Sequence, residues 1–169
     1  DSSVPAETLC AGQTTDSNAT FSEISYKQVT GCTAGNTLVS CSVDFYNLTD
    51  VDLKFGAYSD NGSNVPDQLL ASGEVTNQTI SNTYTTLTMT FTGTPDVVPA
   101  DGIIWVAVIP SKASQGIRTT AVGGTPVYTS SAYDATGSGG DYSNYANNLK
   151  TTAPFQAYGG NSYRMCVTA

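Results

Sequence analysis

Apolar and polar residues alternate with a period of two over several short stretches of the chain, the pattern of strands with one buried and one wet face. Over 84–91, Leu87, Met89 and Phe91 alternate with Thr86, Thr88 and Thr90. The same rhythm puts Val39, Cys41, Val43 and Phe45 on the inner face of a second strand, with Ser40, Ser42 and Asp44 opposite. A third strand sets Leu53, Phe55 and Ala57 inward against Asp52, Lys54 and Tyr58. The run 103–109 is apolar at every position, which predicts a central strand covered on both sides and stopped by Pro110.

Further strands are predicted at 25–30, 69–76, 117–122, 126–131 and 163–168. They are separated by turn sequences such as Asp60-Asn61-Gly62, Gly123-Gly124 and Gly159-Gly160-Asn161. No window holds apolar positions at helical spacing without Gly, Pro or Thr intervening. Roughly nine short strands at turn-punctuated intervals indicate an all-β, jelly-roll-like antiparallel β-sandwich. The length of 169 residues fits one domain spanning 1–169.

Charged residues make up 12% of the chain, about half the usual share, so surface polarity comes from Ser, Thr, Asn and Gly. The formal net charge is −8, and the six Lys and Arg are scattered singly. Without a basic stripe, neither nucleic acid nor an anionic membrane surface is an expected partner. The longest apolar run is too short to span a bilayer, so no membrane insertion is expected.

Cys10, Cys32, Cys41 and Cys166 lack metal-type or redox-type spacing, and the chain has no His. They read as two disulfides formed in an oxidising compartment. Of the three pairings, Cys10–Cys32 with Cys41–Cys166 is favoured, because the second bond ties an early strand to the last. Asp1-Ser2-Ser3 has the character of an end left by a signal peptidase. A secreted or cell-surface location is expected.

Residues 55–62, Phe-Gly-Ala-Tyr-Ser-Asp-Asn-Gly, are followed at 65–74 by Val-Pro-Asp-Gln-Leu-Leu-Ala-Ser-Gly-Glu. This segment resembles a YSDNGG-PG-LL turn common in secreted bacterial β-sandwich modules, with Asp67 in place of the usual Gly. A Thr-rich strand and an apolar strand with Trp105 follow in the same order, so the resemblance covers about residues 25–110. It implies a jelly-roll fold and an extracellular setting among surface, adhesion and carbohydrate-associated proteins, and it carries no catalytic residue.

Candidate chemistry is sparse. The missing His removes His-based triads and imidazole metal ligands, and no Ser sits in a GxSxG elbow. Paired carboxylates suffice for glycoside hydrolysis, but the only Glu are Glu7, Glu23 and Glu74. No catalytic residue, metal or cofactor is expected. Asp60, Asn61, Asn64 and Asp67 crowd one loop, yet they lack EF-hand spacing and read as turn residues rather than a calcium site.

The segment 133–148 is a long Gly, Tyr and Asn loop, which makes Tyr133, Tyr142 and Tyr145 candidate ligand or interface contacts. Sequons begin at Asn18, Asn47, Asn61 and Asn77, about the number that chance gives in so Ser- and Thr-rich a chain. The expected function is a non-catalytic extracellular structural protein: a subunit of a filament, pilus-like fibre or surface coat, with adhesion as a further task. It would self-associate into a polymer, with residues 1–9 as an arm or exchanged strand. The alternative is a carbohydrate-binding module that stacks the loop tyrosines on a glycan.

Overall fold

The computed structural model describes residues 5–11, 17–21, 24–112, 115–120, 127–130, 149, 151–152, 156–158 and 162–169. Of these, 17–21, 115–120, 127–130, 156–158 and 162–163 are described by their backbone alone. The strands are β1 Thr8–Ala11, β2 Ser17–Phe21, β3 Ile24–Thr30, β4 Ser40–Tyr46, β5 Leu48–Asp60, β6 Pro66–Ile80, β7 Thr85–Thr90, β8 Ile103–Pro110, β9 Gln115–Thr120, β10 Val127–Ser130, β11 Gln156–Tyr158, β12 Ser162–Tyr163 and β13 Met165–Thr168. They form two antiparallel sheets packed as a β-sandwich. The first runs β1-β13-β4-β9-β12, with β7 on the other flank of β4 and β2 beside β9. The second runs β11-β10-β3-β8-β5-β6.

Three pairings are nested: β5 with β6, β4 with β7 and β3 with β8. A single long hairpin, folded at the turn after Asp60, thus places its successive layers alternately in the second, first and second sheets. The turn closes through Asn61 N–H donating to Val65 O at 2.9 Å, with Gly62 at φ 84°, a backbone that Gly adopts without strain.

Between the sheets lie Cys41, Val43 and Phe45 of β4, Met89 of β7 and Met165 and Val167 of β13. They meet Val29, Leu53, Phe55, Ala57, Ile104, Val106 and Val108 of the second sheet, all buried. Each large apolar side chain so buried stabilises by about 1.5–3 kcal/mol. Val39 departs from the expected inward pattern, because it precedes β4 and Leu38 takes the core position. Leu38 N–H donates to Asp96 O at 3.1 Å, and Val39 is left 43% exposed.

The expected wet face of the third predicted strand is also corrected. Tyr58 is fully buried with Tyr26, Trp105, Ala107 and Ile109 in a second apolar layer, on the outside of the second sheet, and Leu149 packs on it. Gly56 makes room for that layer, since a Cβ there would lie 2.8 Å from Leu149 Cδ1. The second sheet is therefore apolar on both faces, and β8 at its centre is continuously so for that reason.

Candidate functional site

The outer face of the first sheet is built from the polar halves of four alternating strands. Register aligns Thr8, Thr168, Ser40 and Thr90 in one row, and Cys10, Cys166, Ser42 and Thr88 in the next. Thr86 and Asp44 continue it: Thr86 Oγ1 donates to Asp44 Oδ1 at 2.7 Å, and Arg164 Nε lies 3.6 Å from Asp44 Oδ2. In the first row Thr8 and Thr168 hydroxyls bond at 2.8 Å. The result is a hydroxyl-rich face of low charge with a disulfide set into it.

At the rim of this face, β1 is the edge strand among the described residues. Glu7 and Ala169 exchange both backbone hydrogen bonds, at 2.8 and 3.0 Å. By antiparallel alternation Leu9 and Ala11 also face β13, whereas the N–H and C=O groups of Thr8 and Cys10 point to the free edge. Among the described residues no backbone group answers them. The strand is Thr-Leu-Cys-Ala, without the charge, Pro or bulge that usually blunts an edge. The opposite rim of the sandwich, at β6, is treated differently. Leu69, Leu70 and Ser72 bond outward to Thr151, Asp96 and Thr92, and β6 carries register shifts and Glu74.

The disulfide is Cys10–Cys166, between directly opposed residues of β1 and β13. This corrects the favoured pairing of Cys10 with Cys32 and Cys41 with Cys166. Cys166 alternates with the inward Met165 and Val167 and so faces out, whereas Cys41 on the neighbouring strand faces the core. Cys10 is exposed on the outer face, whereas Cys32 is buried in the core just after β3. Cys32 and Cys41 are free, buried thiols. Burial, with the Glu7 carboxylate adding to it, pushes the Cys32 thiol up to about 11, and burial pushes the Cys41 thiol up further. Thiols so held protonated are poor nucleophiles and poor metal ligands. Lys27 of β3 is buried too, and desolvation lowers its pKa.

The loop with crowded oxygens is a turn whose acceptors are used within the fold. Asp60 Oδ2 accepts from Gly62 N–H at 2.7 Å and Asn64 N–H at 3.3 Å, and its Oδ1 accepts from the Trp105 indole at 2.8 Å. Asn61 Oδ1 accepts from Ser63 N–H at 2.8 Å, Asn64 Oδ1 from Gln28 Nε2 at 3.1 Å, and Asp67 Oδ1 from Gln68 Nε2 at 2.9 Å. Other carboxylates act alike: Glu7 accepts from Thr33 N–H, and Asp52 Oδ1 from Asn77 N–H at 2.8 Å. Glu74 lies opposite Lys54, far along β6 from Glu7 on β1's side of the sandwich, and Glu23 lies outside the described residues. Among the described residues no three His, Cys, Asp or Glu side chains gather as a metal site would need.

Asn47, Asn61 and Asn77 are exposed, the first and last at φ 56° and 53°. Asn18 lies in β2, and its side chain is outside the described residues, as are Tyr133, Tyr142 and Tyr145 with the whole loop 133–148. The Asp60–Trp105 contact was missed by sequence reasoning. Its signal was a lone Trp inside an apolar strand, because a buried indole N–H needs an acceptor. No family model, curated protein or solved structure matches the chain significantly.

Proposed function

We propose that the chain is a non-catalytic building block of an extracellular filament or surface coat, assembling with copies of itself through the free edge of β1. The observation that carries this reading is the unblunted β1 edge, set against a β6 edge that is bonded outward as far as Ser72 and carries Glu74 and register shifts beyond it. A plain edge is an aggregation hazard in a monomer and an asset in a polymer, where a neighbour's strand supplies the missing hydrogen bonds. Residues 7–11 pair within their own chain on one side, so the neighbour would add to β1 rather than replace it. The disulfide that pins β1 to β13 supports both this role and an extracytoplasmic location.

The nested pairings of β5 with β6, β4 with β7 and β3 with β8 support a jelly-roll reading, in which one long hairpin is rolled so that its layers alternate between sheets. The turn that carries the resemblance to secreted β-sandwich modules supports the fold part of this reading only. For a second disulfide, Cys32–Cys41 is the one pairing left, and a thiol count on the denatured chain decides it: two thiols for the state described, none for a second bridge.

The test is sedimentation of the native protein beside Thr8→Pro. Pro there removes an N–H that points to the free edge and breaks no backbone bond to β13, giving up only the exposed hydroxyl bond of Thr8 to Thr168. The wild type is expected as polymer and the variant as folded monomer. A wild type that sediments as a monomer and binds glycan would replace assembly with the carbohydrate-binding reading, and a variant that polymerises normally would remove β1 from the interface.

A further inference from the structure

We infer that Asn47, Asn61 and Asn77 carry N-linked glycans that cover the β5–β6 hairpin and leave the β1 edge bare. The inference rests on the extracytoplasmic location in the reading above, and not on self-assembly. All three Asn are exposed, as are Thr49, Ser63 and Thr79, which complete the sequons. Their carboxamide nitrogens donate no hydrogen bond among the described residues. Asn36, outside a sequon, is used by the fold instead: its Nδ2 donates to Ala169 O at 3.5 Å. The three sequons thus present amide nitrogens that donate no hydrogen bond among the described residues, two of them on backbone in the left-handed region.

Their placement is not scattered. Asn47 N–H donates to Ser81 O at 3.2 Å, and Asn77 N–H donates to Asp52, so both lie at the end of the hairpin remote from its turn. Asn61 lies in the turn itself, nine residues beyond Asp52 along β5, which at the rise of an extended strand is about 30 Å away. The outward bonds of β6 stop at Ser72, and from Glu74 to Ile80 its outer edge has no backbone partner among the described residues. Asn77 sits in the middle of that open stretch, where a bulky, hydrated glycan would block a neighbour's strand.

The modification is a group transfer from a lipid-linked glycosyl diphosphate. The bond from the anomeric carbon to the diphosphate oxygen breaks, a bond from that carbon to Asn Nδ2 forms, the lipid diphosphate leaves, and one amide proton passes to base.

The experiment is intact-mass and peptide mass spectrometry of the protein isolated from its natural source. The expected mass exceeds the bare 17.5 kDa, falls back to it on chemical deglycosylation, and maps to the peptides of Asn47, Asn61 and Asn77. Thr49→Val, Ser63→Ala and Thr79→Val, made in the same host, should each remove one glycan. They spare the positive-φ Asn residues, and Thr79→Val gives up the exposed bond its hydroxyl accepts from Asp50 N–H at 3.1 Å, so an unchanged urea midpoint is checked beside each glycan count. A native chain of bare mass, or glycans on other peptides only, overturns the inference. A bare polymer overturns it while leaving the assembly reading intact, and a glycosylated monomer does the reverse.

Discussion

Replacing Asp60 by Ala removes the acceptor for three donors at once, and the costs differ by where each donor is left. Trp105 is fully buried, so its indole N–H, now 2.8 Å from Oδ1 of the half-buried Asp60, would lose that acceptor in a part-buried setting. An orphaned buried donor costs about 1–3 kcal/mol. The N–H groups of Gly62 and Asn64 are in an exposed turn and can turn to water, so each loses only a net hydrogen bond, about 0.5–1 kcal/mol. The total expected destabilisation is about 2–5 kcal/mol.

Trp105 is the only Trp, so urea unfolding followed by its fluorescence reads the effect directly, with an unchanged m-value expected. Asp67→Ala is the control, because among the described residues Asp67 accepts only from the exposed Gln68 side chain, and it should stay within about 0.5 kcal/mol of wild type. A chelator should change neither midpoint, since the loop's oxygens are already taken by the fold. Equal stability of the two variants, or a large loss on chelation alone, would refute the reasoning and revive a calcium site.

Breaking Cys10–Cys166 by reduction, or by Cys10→Ser with Cys166→Ser, frees a closure spanning 156 residues. The chain-entropy model puts its loss near 5 kcal/mol as an upper figure, readable as a lower urea midpoint. Gly73→Ala forces a Cβ to 2.5 Å from Phe55 Cζ and should destabilise by about 1–3 kcal/mol in the same assay, more than Ala at an open turn position. The buried thiols make stability fall in alkali. The Cys32 thiol ionises at about 11 in the fold against 9.0 when exposed, so its contribution is complete below pH 9 and is lost as pH rises through about 11. Cys41 acts in the same direction and Lys27, whose pKa is lowered, in the opposite one. A Cys32→Ala, Cys41→Ala variant should show a flatter decline from pH 8 to 11, and an identical decline would discount the thiols.

Strand-level structure was readable because period two is a local signal: Met89 and Phe91 are buried, and 103–109 lies at the centre of a sheet covered on both faces. What failed was information held by neighbours. Tyr58 and Lys54 alternate as a wet face should, but a second apolar layer, with Leu149 from far along the chain, lies over that face. The cysteine pairing failed through face rather than distance: Cys41 and Cys166 lie on adjacent strands but on opposite faces of one sheet. That requires knowing that β13 lies between β1 and β4. The same topology makes β1 an edge, which no local pattern in Thr-Leu-Cys-Ala reveals. The loop bearing Tyr133, Tyr142 and Tyr145 lies outside the described residues, so the glycan-stacking expectation stands on composition alone.

The central claim is that this disulfide-pinned sandwich is a repeating unit. Electron microscopy of the native material tests it most directly. The account predicts filaments or an ordered layer whose subunits are joined at the β1 edge. Monodisperse particles of a single chain, about 17.5 kDa before any glycan, would contradict it.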